Sequence, residues 1–395
     1  MVYRLVFSLA ALYNIAFGIW ACFWPGALFA MLEMAPPNYP SLWQCLGMVV
    51  GLYGLLYAYA AVDLHRSKLI IAIGLAGKIL GPIGMFIAFQ SGEWPLRALT
   101  LIVFNDFVWW LPFTVFLLDG THIGERLRAS APWICTILNA AAAVAMLFVL
   151  GGGTEAMPNI AQRATFIAEH ALLWRVGWGV WMMAAISLVA FFAWWGGWIS
   201  SHRLALVALV VALAGLACDL FAESLLIGWL PNRIDTVASL ASVLTGGAAN
   251  GLYSIAGALL TVGTHALRGA LRALAWAVWA SGFALTIFTI FGSVSGMVIS
   301  TAALMALLCP WVAAFGWKLT REKTEPARTF PLHAYIGLAQ IGEKRSERLE
   351  VVDLRHDLPQ RAHSSRNVLQ KILMPSDQAQ KAISTQRLHQ SLGRT

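Results

Sequence analysis

Apolar runs of about 20 residues or more, separated by short polar or proline-containing links, carry the chain from residue 3 to residue 317. A run of that length crosses a hydrocarbon core about 30 Å thick as an α-helix, whereas the strand of an outer-membrane barrel needs only about ten residues and alternates in polarity. The predicted spans cover about residues 3–23, 42–62, 69–89, 96–118, 132–150, 175–198, 204–230, 237–262, 273–291 and 294–317. The expected fold is therefore all-α, a polytopic membrane protein of about ten transmembrane helices. The first run has the flank of a signal peptide in Arg4, but it is long and lacks a clear small-x-small cleavage site, so it reads as a retained span.

The links between runs have their own character. Trp24-Pro25-Gly26 ends the first helix, Pro36-Pro37-Asn38-Tyr39-Pro40 is extended because proline cannot continue a helix, and His65-Arg66-Ser67-Lys68 is a basic turn. Residues 159–173 differ again: behind Gly151-Gly152-Gly153 and Pro158, their apolar residues recur at helical spacing while Arg163, Glu169 and His170 fall elsewhere. That pattern predicts an amphipathic helix lying in the membrane interface. The link at 119–131 is the most polar one inside the body, which divides the chain into a four-helix module over 1–120, a six-helix module over 121–320 and a basic tail over 321–395.

Composition agrees with the runs. Hydrophobic residues make up 59%, charged residues only 12%, and mean hydropathy is +0.70, values foreign to a soluble domain. The net charge of +8 resides mostly in the tail, which holds 13 of the 27 Lys and Arg against 8 of the 19 acids, so it is not a nucleic-acid signal. The tail has too few apolar residues for a core and is expected to be mostly disordered and cytoplasmic, with a membrane surface or a protein partner as its docking options. On the cytoplasmic side of an N-in, C-in arrangement lie Arg4, Arg66, Lys68, Arg126, Arg128, Arg203, Arg268 and Arg272; Arg97, Arg163, Arg175 and Arg233 lie on the other. The positive-inside rule favours that orientation.

Charges inside the apolar runs mark the candidate chemistry, because ionisable groups at that depth cost several kcal/mol unless they meet a partner, water or a ligand. Lys78 and Asp106 sit near the middle of adjacent runs. A turn near Glu93 brings Lys78 level with about Trp109 and Asp106 level with Gly81, roughly 4.5 Å apart in depth at helical rise. Gly74, Gly77, Gly81 and Gly84 give that hairpin small-xxx-small spacing for close approach, and Asn105 and Asn14 are further polar groups at similar depth. An ion pair that fixes packing and a proton, substrate or headgroup site are both open readings.

The second constellation is CDLFAESLLIGWL, where Asp219 and Glu223 are four apart and share one helix face. Arg175 is expected within about a turn of Glu223, and a turn near Arg233 sets Asp219 level with Gly247 and close to Asn250, where Gly246 and Gly247 leave room for a side chain or a ligand. The options are a structural polar knot or a site for a cation, a proton or a polar substrate group.

Other signals exclude more than they assign. The five cysteines are scattered singly, Cys22 and Cys45 being the one pair expected at the same membrane face. His170 has no second deep histidine to share a haem with, and there are no His boxes, so neither a metal nor a cofactor is expected. Most of the 18 tryptophans lie near span ends, where interface anchoring accounts for them. P-loop, GxGxxG, HExxH and GxSxG motifs are all missing.

PPNYPSLWQCLGMVVG (Pro36 to Gly51), GKILGPIG (Gly77 to Gly84) and NDFVWW (Asn105 to Trp110) together resemble a family of small bacterial four-span membrane proteins of unknown function, over about residues 5–118. The arrangement is similar, more loosely, to DoxX-like four-helix proteins, some of which are associated with respiratory or thiol redox systems. The six-span part looks like a second bacterial membrane family. The resemblance implies a fusion of two modules in a bacterial inner (plasma) membrane and carries over no catalytic residue. The expected function is binding or transport of a small polar or amphipathic molecule, with proton coupling as an option. The alternatives are a membrane enzyme or redox-partner subunit acting on quinone or lipid, and an assembly scaffold.

Overall fold

The protein is described by a computed structural model over residues 2 to 324; the tail expected from 321 onward lies outside the described residues beyond that point. Ten helices in it are long and apolar enough to cross a membrane. They are α1 (Val2–Phe23), α2 (Pro40–Val62), α3 (Lys68–Gln90), α4 (Leu96–Leu117), α5 (Ala131–Gly153), α6 (Ala171–Gly196), α7 (His202–Gly228), α8 (Ile234–Gly263), α9 (Gly269–Ile290) and α10 (Val294–Arg321). The chain is a polytopic α-helical membrane protein.

The links start the helices as their chemistry dictates. Pro40 opens α2 and Pro132 falls in the first turn of α5, positions where the missing N–H would have no partner anyway. Ser201 caps α7 by accepting from Leu204 N at 3.4 Å, and Asn159 caps the short helix Ile160–Glu169 by accepting from Gln162 N at 3.2 Å.

Packing organises the helices into two groups. In the first, α1 runs tightly along α2, α3 packs on α2 and α4, and α4 returns to α1. Phe7, Tyr57, Ile71 and Phe113 fill its centre. In the second, each of α5 to α10 packs on the next and α10 closes back on α5, so six helices form a ring. The groups meet along α4 and α7, where Thr100 and Ser224 share a hydrogen bond at 2.8 Å. Cys22 and Cys45 remain free thiols; Cys22 Sγ donates to Gln44 O at 3.2 Å and Gln44 Nε2 donates to Cys22 O at 2.7 Å, which ties α1 to α2.

Several tryptophans depart from the interface-anchor expectation. Trp195, Trp279 and Trp311 are buried inside the six-helix ring with Phe191 and Phe315, at centroid separations such as 5.3 Å for Trp195–Trp311 and Trp279–Trp311. The cause is the helical face they occupy; Trp195 and Trp279 also find a partner for the indole, donating to Thr264 Oγ1 and Thr261 Oγ1, both at 2.8 Å, whereas the Trp311 N–H has none among the described residues. Their position along the chain told depth but not facing.

Candidate functional site

A cavity of about 710 Å³ lies inside the six-helix ring, with residues of all six helices in its wall. Asp219 and Glu223 reach it from one face of α7, roughly 13.5 and 7.5 Å below the last residue of that helix at the α-helical rise. Glu223 is fully buried, and neither of its carboxylate oxygens has a hydrogen-bond partner among the described residues. Asp219 is 7% exposed and accepts from Tyr253 Oη at 3.3 Å.

The other walls are aromatic and polar by turns. Trp174, Trp178 and Trp181 project from α6; Trp174 is held by donation to Leu226 O at 2.8 Å, whereas the Trp178 and Trp181 indole N–H groups have no partner among the described residues. Asn139 of α5 lines the cavity and donates to Cys135 O at 2.9 Å. Asn250 lines it from α8, where Val243–Ala249 is a π-helical stretch, and its side chain donates to Thr245 O at 2.8 Å inside that stretch. A π-turn carries backbone carbonyls away from their α-helical partners, which is why such turns accompany polar sites.

The loop end of the cavity is closed by Gly151-Gly152-Gly153 and the helix Ile160–Glu169. That helix packs one face against the protein: it turns Arg163 and Ile167, four residues apart, inward. Arg163 is 8% exposed, donates from Nε to Gly153 O at 3.3 Å and pairs with Glu155 at 3.6 Å. At Gly153 a Cβ would run into the Trp174 ring and Ile167, so glycine is what lets this helix sit down on the cavity. With Arg163 matched by Glu155, the cavity carries two carboxyls in excess of its cations.

Arg175, the residue expected to meet Glu223, is exposed and does not face the cavity. Trp174 and Trp178, one turn apart, occupy the inward face of α6, and a residue next to Trp174 is rotated by about 100° from it. The cation at this site is Arg163. Asn139, Glu155, Arg163, Tyr253 and the three tryptophans were not picked out from the sequence as site residues. Asn139 was open to detection as a lone amide in an apolar run, by the same sign that marks Asn14.

The hairpin site has a different geometry. Asp106 faces Gly81, whose added Cβ would stand 3.6 Å from Asp106 Oδ2, and Lys78 Nζ lies 5.9 Å from the Trp109 ring centroid. This is the register that rise per residue predicts. Lys78 Nζ donates to the Asn105 backbone carbonyl, within the π-helical stretch Val103–Phe107 of α4, and it also lies 6.0 Å from the Tyr57 ring. Its nitrogen is not within 4 Å of the Asp106 carboxylate; Asn105 Nδ2 donates to Asp106 Oδ1 at 2.9 Å instead. Lys78, Asn105 and Asp106 thus form one cluster. Asn14 is buried on α1 with its Oδ1 unpartnered among the described residues, and it makes no hydrogen bond to that cluster. His170 is exposed and stacks on Phe166, with centroids 4.6 Å apart.

Fold and site together define a multi-pass membrane protein with an acid-lined, tryptophan-walled cavity inside a ring of six helices. Compared with family models, with curated proteins and with solved structures, the chain gives no match.

Proposed function

We propose that this protein binds a small amphipathic organic cation in the six-helix cavity and carries it across the membrane in exchange for protons. The observation that carries the reading is Glu223: a fully buried carboxyl with two unpartnered oxygens, one turn from Asp219, at the wall of a cavity of drug-sized volume. A carboxylate in such a place needs a proton or a cation, and the two compete for the same oxygens. The tryptophan walls favour an organic cation over a bare metal ion, since indole faces attract ammonium-type charge and supply apolar contact for its substituents. The resemblance of residues 5–118 to a bacterial four-span family supports the inner membrane as its location.

Tetraphenylphosphonium is a suitable probe for the purified protein, with quenching of tryptophan emission as the readout. Binding is expected to tighten as pH rises, because deprotonation supplies the charge the cation meets. Glu223→Gln is expected to weaken it by about tenfold or more, equivalent to about 1.4 kcal/mol. In proteoliposomes a gradient of a quaternary ammonium cation that does not cross the bilayer unaided should drive proton movement reported by an entrapped pH dye, beyond that of protein-free vesicles. Binding that is independent of pH and unchanged in Glu223→Gln would sink the proposal.

A further inference from the structure

A second cavity, about 480 Å³, lies between the two helix groups and is almost wholly apolar. Phe17 and Trp20 of α1, Leu101 and Phe104 of α4, and Phe221 and Leu225 of α7 wall it, with Arg97 as its charged lining residue. From Arg97 to Phe104 and from Phe221 to Trp229 it extends roughly 10 to 12 Å along the helices at the α-helical rise.

Its loop end is built of charge. Arg97 donates from Nε to Leu32 O, from Nη1 to Glu33 Oε2 at 3.2 Å and from Nη2 to Glu33 O at 2.8 Å. Arg233 donates to the other Glu33 oxygen. One carboxylate therefore serves two guanidiniums, and the end of the groove keeps an excess positive charge. Both guanidiniums lie over the Trp229 ring, at 5.6 and 6.0 Å, and Trp229 itself lines the groove. The side chains of Arg97 and Arg233 remain 25% and 55% exposed.

We propose that this groove holds one acyl chain of an anionic phospholipid, with the lipid phosphate against Arg97 and Arg233. A hydrocarbon-lined groove at membrane depth selects a chain, and a guanidinium pair with free N–H groups selects the phosphate by charge and by fork geometry. The excess positive charge then separates anionic from zwitterionic headgroups.

The test is titration of the full-length protein in nonionic detergent with phosphatidylglycerol and with phosphatidylcholine of the same chains, read by native mass spectrometry. Phosphatidylglycerol is expected to bind about fivefold tighter or more, and Arg97→Gln with Arg233→Gln to remove the preference. Ala16→Trp, at an exposed groove position, should weaken phosphatidylglycerol binding with both arginines intact, and Glu33→Gln should strengthen it. Equal binding of the two lipids overturns the proposal, as does a preference kept by the double arginine variant. If that variant does not fold, unchanged affinity in both Ala16→Trp and Glu33→Gln overturns it. Displacement of the bound lipid by glycerol phosphate at the same concentration would assign the arginines to a free phosphate and likewise overturn it.

Discussion

At Gly18 an added Cβ would stand 2.7 Å from Gly47 O and from the Gly51 Cα, backbone atoms that cannot move aside without parting α1 from α2. At Gly77 the same atom would meet nothing within 4 Å. The small-xxx-small spacing along α3 pointed to Gly74, Gly77, Gly81 and Gly84 as the close approach; Gly74 does lie against the Tyr57 side chain and Gly81 against Asp106, but Gly77 and Gly84 face open space, and the backbone-to-backbone crossing uses Gly18 against Gly47 and Gly51. Spacing says that a helix has a smooth stripe; which neighbour fills it is decided by packing. Gly18→Ala is expected to destabilise the protein by about 1 to 3 kcal/mol through overpacking. Gly77→Ala should leave stability unchanged or raise it by up to about 1 kcal/mol from helix propensity. Equilibrium unfolding in mixed detergent measures both, and equal midpoints for the two variants would show that the α1–α2 crossing is looser than described.

Among elements, the spans were legible because 20-residue apolar runs have few other uses, and the charges within them were legible because they break those runs. Lys78 and Asp106 could even be placed in register from helical rise, since a short turn fixes the pairing of adjacent helices. Facing was less legible. Arg175 and Arg163 look alike in sequence, and only the inward face of α6 and of the helix Ile160–Glu169 separates them. The π-helical stretches Val103–Phe107, Met146–Leu150 and Val243–Ala249 were not legible at all, because a one-residue widening leaves the apolar pattern intact. The Ile160–Glu169 helix gives a test at this scale. It has ten residues, two of them buried, and one capping side chain, Asn159. Too short to be stable alone, it depends on that cap and on Arg163. Asn159→Ala should cost it about 1 kcal/mol, read as roughly fivefold faster amide exchange within Ile160–Glu169. Exchange in the middle of α7 should not change. A uniform rise across both would mean that the helix is not a separable cover on the cavity.

The closure of the six-helix ring is a property of the whole molecule, and it escaped the sequence because α5 and α10, its closing pair, are the most distant helices of that half. The same holds for the meeting of the two groups along α4 and α7. Residues there are mostly apolar; Arg97 lies at the end of α4, and Thr100 and Ser224 carry hydroxyls, which are no unusual signal in a membrane helix. Their hydrogen bond sets the two side chains head to head, and Gly228 nearby brings the α7 backbone against Arg97, where a Cβ would come within 2.8 Å of the Arg97 Cα. Ser224 follows Glu223 on α7, so this contact joins α4 to the helix that carries the acid site. Cysteines at positions 100 and 224, in a background with the five native cysteines changed to alanine, should therefore cross-link under mild oxidation. A protease site inserted in the exposed link near Gly120 allows the readout: after cleavage, the two parts should migrate as one band without reductant and as two with it. Two bands under both conditions would mean that α4 and α7 are not held at this register in the membrane.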